Sequence, residues 1–84
     1  MNKYRAKINV MPRPELLDPQ GKTVSNNMKN LDISGVDDVR IGKRIEILLD
    51  ANSQKEAEEK VENACKKLLA NLIMETYQFE VETA

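Results

Sequence analysis

Hydrophobic and polar positions along this chain follow two rhythms. From residue 3 they alternate: Tyr4, Ala6, Ile8 and Val10 fall on one side, and Lys3, Arg5, Lys7 and Asn9 on the other. A period of two predicts a β-strand with one buried face. Pro12 and Pro14 stop it, because neither can donate to a sheet ladder. Leu17-Asp18-Pro19-Gln20-Gly21 then reads as a helix entrance. Asp18 can cap the free amides, and Pro19 at the first helical position lacks only a hydrogen bond that would go unmade. Val24, Met28 and Leu31 form one helical stripe, although Gly21, Asn26, Asn27 and Asn30 are poor helix formers. Ser34-Gly35 closes the region as a turn.

Alternation returns at Val39 and Ile41, set between Asp38 and Arg40, and again at Ile45, Ile47 and Leu49, set between Glu46, Leu48 and Asp50. Gly42-Lys43 lies between the two runs, with Gly able to supply the positive φ of a tight hairpin. Two antiparallel strands are predicted here. Ser53-Gln54-Lys55-Glu56 matches a capping box and opens a second helix. Its apolar stripe runs through Ala57, Val61, Ala64, Cys65, Leu68 and Leu72 over four turns, and Asn71 is the expected left-handed terminator. Tyr77, Phe79 and Val81 alternate with Thr76, Gln78, Glu80 and Glu82 as a last strand.

The order βαββαβ predicts an α+β, ferredoxin-like fold: a four-stranded antiparallel sheet with two helices on one face, in a single domain over 1–84. The first and last strands become antiparallel neighbours. Lys3, Arg5 and Lys7 then lie beside Gln78, Glu80 and Glu82 on the outer face, a pairing worth about 0.2–1 kcal/mol per contact.

Composition narrows the chemistry. The 84 residues carry 13 Lys plus Arg against 14 Asp plus Glu, for a net charge of −1, so no strong positive field favours nucleic acid. With no His and one Cys, a Ser-His-Asp or Cys-His pair cannot form within one chain, and neither can a Cys/His zinc site. A lone thiol makes no intrachain disulfide, and the longest apolar run, Leu72–Ile73–Met74, is far too short to span a membrane. A cytoplasmic location is expected. Such a short chain buries only about 60% of its unfolded surface, so self-association is a natural aid.

The remaining candidates favour structural roles. Cys65 falls on the helix stripe as a core thiol. Asp37 and Asp38 are adjacent strand positions that point to opposite faces, which disfavours joint Mg²⁺ ligation. Gly42-Lys43-Arg44 is far weaker than a phosphate loop. Tyr4, Tyr77 and Phe79 are all expected on the core face, the wrong side for stacking RNA bases. Leu48, on the outer face, and Leu16, Leu17, Ile33, Ile73 and Met74, outside the clean patterns, give apolar surface for a subunit interface.

Several short motifs occur in order: Leu17-Asp18-Pro19-Gln20-Gly21, Val36-Asp37-Asp38-Val39-Arg40-Ile41-Gly42-Lys43, Lys67-Leu68-Leu69-Ala70-Asn71, Glu75-Thr76-Tyr77 and Phe79-Glu80-Val81. Together they make the chain resemble the PurS family, the small third subunit of multi-subunit phosphoribosylformylglycinamidine synthase. The resemblance implies a non-catalytic role in de novo purine biosynthesis, bridging a glutaminase subunit and a synthetase subunit and supporting ammonia transfer. It implies a homodimer or homotetramer, no nucleic-acid or membrane partner, and no catalytic, cofactor or metal site in this chain; the complex itself uses glutamine and ATP with Mg. Asp18, Pro19, Gln20, Gly21, Arg40, Gly42 and Lys43 are the expected partner-interface residues, because they join charge or backbone exposure to a loop position. The alternative function is a small ferredoxin-like regulatory or ligand-binding domain.

Overall fold

Residues 1–84 are described by a computed structural model. Its elements run β1 (Asn2–Pro12), α1 (Pro19–Asn30), β2 (Lys43–Ala51), α2 (Gln54–Ala64) and β3 (Glu75–Thr83). The class is α+β, and the sheet is antiparallel with the order β2-β1-β3. β1 takes the centre, and its composition explains why. Tyr4, Ala6, Ile8 and Val10 are all buried, whereas the core-facing residues of the flanking strands, Ala51 apart, are half-buried. Only a central strand has neighbours on both sides to complete its burial.

The expected pairing of first and last strands is present. Arg5 stands opposite Glu82 and Lys7 opposite Glu80, and Lys7 Nζ reaches Glu82 Oε1 at 2.8 Å. On the other side Lys3 faces Asp50, with a 2.9 Å ion pair. These bridges are exposed, so they help fix the register more than they stabilise the fold. α2 covers the opposite face. Ala57, Val61 and Cys65 are buried against β1, and full burial of a Val or Ile side chain contributes about 1.5–3 kcal/mol. Ser53 caps the helix as expected, its Oγ accepting from Glu56 N–H at 3.1 Å, while the Glu56 carboxylate reaches one residue further back and accepts from Asn52 N–H at 3.2 Å.

Three expectations are corrected. The sheet has three strands, because Val39–Ile41 forms no hairpin with β2. The donors of this segment are used elsewhere: Ile41 N–H goes to the Asp18 carboxylate and the Arg40 guanidinium to Pro12 O. Gly42 therefore does not adopt a positive φ; the left-handed residues are Asp32 (φ 61°) and Gly35 (φ 82°), in the segment that leaves α1. A side chain at position 42 would instead collide with Met11 Sδ and Val10 O, so Gly is required there for close approach.

The second correction concerns the end of α2. The helix widens into a π turn over Cys65–Leu69, closed by Ala70 N–H to Cys65 O at 3.1 Å. A wider turn delays the return of the stripe. Leu69 and Ala70 pack on the core in place of Leu68, which is 80% exposed. Asn71 is not left-handed; its Oδ1 accepts from Ile73 N–H at 3.1 Å, an Asx-type turn.

The third correction is that only α2 lies on the sheet. No α1 residue belongs to either core cluster. Its stripe is short and interrupted by Asn, Ser and Lys, so it offers little apolar surface to compete for a face that α2 already occupies. α1 and residues 31–42 form an arm instead. The chain measures 52 × 26 × 15 Å with a radius of gyration of 16.6 Å, against about 12 Å for a compact chain of this length.

Candidate functional site

The base of this arm brings the expected interface residues together. Asp18 caps α1 with one carboxylate oxygen, Oδ1, accepting from Gly21 N–H at 3.0 Å. The other, Oδ2, accepts from Ile41 N–H at 2.7 Å. One side chain therefore both starts the helix and ties down the returning segment. Pro19 occupies the first helical turn, and Lys22 N–H to Asp18 O at 3.0 Å begins the ladder. Gly21 is the only buried residue of the helix, and a Cβ there would run into Val39 O. The PQG sequence is thus shaped by the close approach of 39–41.

Arg40 crosses to the end of β1, where its guanidinium donates to Pro12 O. Hydrogen bonds from Gly21 and Ile41 N–H hold the Asp18 carboxyl below its usual range, and the nearby Arg40 charge adds to the effect. Asp18, Gly21 and Arg40 face inward and lock the junction. Pro19, Gln20, Gly42 and Lys43 are exposed on its surface. Lys43 comes within 3.8 Å of Glu75 at the start of β3.

Between α1 and the returning segment lies a cleft of about 240 Å³, lined by Lys22 and Lys29 from the helix and by Asp37, Asp38 and Arg40 from the returning segment. No group of three or more His, Cys, Asp or Glu is placed to hold a metal ion. Cys65 is buried, and burial, with the Glu62 charge, pushes its thiol pKa up, away from nucleophilic thiolate. Tyr77 and Phe79 stack at 6.4 Å and pack on the core beneath α2, where Tyr4 is buried in a neighbouring cluster with Ala51 and Ala57.

Two contacts escaped sequence reasoning. Arg13, in a segment with no assigned role, donates through Nε and Nη2 to Leu72 O and through its backbone N–H to Met74 O, fastening the β1 exit to the loop before β3. The Asp18–Ile41 bond spans 23 residues, and its only sequence signal is a capping residue with a second oxygen to spare.

Fold and junction together define a class: small α+β domains with a thin three-stranded sheet, both edges open, and a helical arm pinned at its base. The chain belongs to the PurS family. The family described as PurS, phosphoribosylformylglycinamidine (FGAM) synthase, matches residues 5–83. The chain is 41% identical to the PurS subunit of Synechocystis over 78 residues, covering 93% of this chain and 78% of that protein. It is 38% identical to the Bacillus subtilis subunit over 79 residues, covering 94% and 93%. Among solved structures, Thermus thermophilus PurS matches with a TM-score of 0.85 at 37% identity, covering 98% of each chain. A chain of the Thermotoga maritima PurLQS structure matches with a TM-score of 0.89 at 29% identity, covering 98% of this chain and 100% of that one. No helix is long and apolar enough to cross a membrane.

Proposed function

We propose that the chain is the small, non-catalytic subunit of FGAM synthase in purine biosynthesis, holding the glutaminase and synthetase subunits in register. The observation that carries this is the near full-length match to a chain of the PurLQS structure. Two active sites held together raise the effective concentration of a reactive intermediate. Ammonia released into bulk water is protonated and loses its nucleophilicity, so a sheltered route has a physical purpose. In this reading the complex takes ammonia from glutamine and activates the substrate amide with ATP and Mg, and those ligands sit on the larger subunits. The chain self-associates, as a homodimer or homotetramer, and works in the cytoplasm. Three strands of the expected ferredoxin-like plan support this reading, the segment expected as the other strand bracing the arm instead.

The seven junction residues have two jobs. Asp18, Gly21 and Arg40 fix the arm, while Pro19, Gln20, Gly42 and Lys43 supply the surface a larger subunit meets. Arg40→Ala frees the arm at Pro12 without touching the sheet core. It is expected to weaken assembly with the glutaminase and synthetase subunits at least about tenfold in a sedimentation titration, with far-UV circular dichroism unchanged. Unaltered assembly removes the junction from the interface.

A further inference from the structure

Charges on the body of this chain are paired, and charges on the arm are not. All seven ion pairs lie on the sheet and on α2 with its π turn. None includes Lys22, Lys29, Asp37 or Asp38, although all four line the cleft of about 240 Å³ between α1 and the returning segment. These side chains, and those of Ser25 and Asn26 beside them, also make no hydrogen bond within the chain. The sequence gathers them deliberately. Lys22, Ser25, Asn26 and Lys29 recur at i, i+3, i+4 and i+7, one polar stripe along α1. Val24, Met28 and Leu31 fall on the other side of the helix. Asp18 and Arg40, also in the lining, are already committed to Gly21, Ile41 and Pro12.

We propose that this cleft binds a free α-amino acid with a neutral polar side chain, its carboxylate on Lys22 and Lys29 and its ammonium on Asp37 and Asp38. The helix contributes two free ammonium groups and the returning segment two free carboxylates, a donor set that matches a zwitterion. A phosphate or nucleotide would meet two unneutralised carboxylates. A divalent cation would find no group of three acidic ligands and two lysines beside it. The size agrees: sites for drug-sized ligands run to about 300–1,000 Å³, and this cleft is smaller. Leu17 and Val39 are its only apolar lining, whereas Ser25 and Asn26 offer a hydroxyl and an amide to the ligand side chain. With no His in the chain to act as base, Ser25 is not an activated nucleophile, so the site holds the amino acid without turning it over. A ligand held by both segments adds a second tie across the arm to the one Asp18 makes, and so stiffens it. This ligand is additional to the assembly role above, and its binding does not depend on that role.

An NMR titration of the full chain with L-glutamine tests this. Saturable shifts of the Gly21, Ser25, Asn26 and Val39 amides are expected, with a dissociation constant of about 1 mM or tighter. N-acetyl-L-glutamine lacks the ammonium and L-glutaminamide lacks the carboxylate, and each is expected to bind at least about tenfold more weakly. L-leucine, which keeps both charges but cannot hydrogen-bond to Ser25 or Asn26, is expected to bind more weakly than L-glutamine. Lys29 and Asp38 are exposed, so Lys29→Ala and Asp38→Asn leave the fold intact. Each is expected to raise the dissociation constant about tenfold. Shifts that stay linear up to tens of millimolar, equal binding of the two blocked amino acids, or wild-type affinity in both variants overturns the site. Equal affinity for L-leucine overturns the polar side chain. Each of these results leaves assembly with the glutaminase and synthetase subunits standing, because sedimentation reads that separately.

Discussion

Asp18 does more than any other single side chain in the arm, because its two oxygens serve partners that are far apart in sequence. Its carboxyl is held low by the Gly21 and Ile41 amides. A folded-state pKa below the unfolded value gives stability that is complete above about pH 4 and lost as pH falls through the folded value. Thermal melts between pH 7 and pH 2 are expected to show that acid loss in wild type and a smaller one in Asp18→Asn; equal acid limbs would mean that the carboxylate does not hold the arm. Tyr77 gives the opposite case. Its hydroxyl donates to Glu62 Oε1 at 2.8 Å, and that bond, with desolvation, pushes its pKa up to about 12. The stability it contributes is full below about pH 10, the unfolded value, and fades as pH rises towards the folded one. Tyr77→Phe is expected to flatten the alkaline limb of stability over that window, measured by denaturant melts from pH 9 to pH 12.

Among the elements, those with long, clean periodicity were legible from sequence. β1, β2 and β3 alternate over most of their length, and the α2 entrance carries its capping box. Val39–Ile41 alternates too, yet over too few residues to outweigh a half-buried carboxylate that takes the Ile41 amide. A stripe counted at 3.6 residues per turn assumes an unbroken α-helix and so puts Leu68 on the core, and a π turn leaves no mark in composition. The π turn makes a direct prediction. Leu68→Ala is expected to change stability by less than about 0.5 kcal/mol, and Leu69→Ala to cost about 1 kcal/mol or more. Ile8→Ala, at the centre of β1 with no exposed surface, is expected to cost about 2–5 kcal/mol. Urea melts of the three variants check the order, and equal losses at Leu68 and Leu69 would contradict the π turn. The candidate interface was legible as a set of loop residues, but its division into inward pins and outward surface was not. That division depends on where Pro12 and Val39 come to lie.

At the scale of the molecule, a thin core and a long arm explain each other. Only nine residues are buried, so the chain has little interior to stabilise it alone and much surface to give to partners. Its extended shape, 52 Å in the longest direction, suits a part that spans between larger bodies. The charges are spread over surface pairs rather than gathered into a site for bond-making. The most direct test of the central claim is glutamine-dependent FGAM formation by the purified glutaminase and synthetase subunits, with and without this chain. The account predicts little or no product without it and restored turnover at a stoichiometric addition, while the synthetase supplied with free ammonia works in either case. Full glutamine-fed turnover in its absence, or product made by the chain alone, would contradict the account.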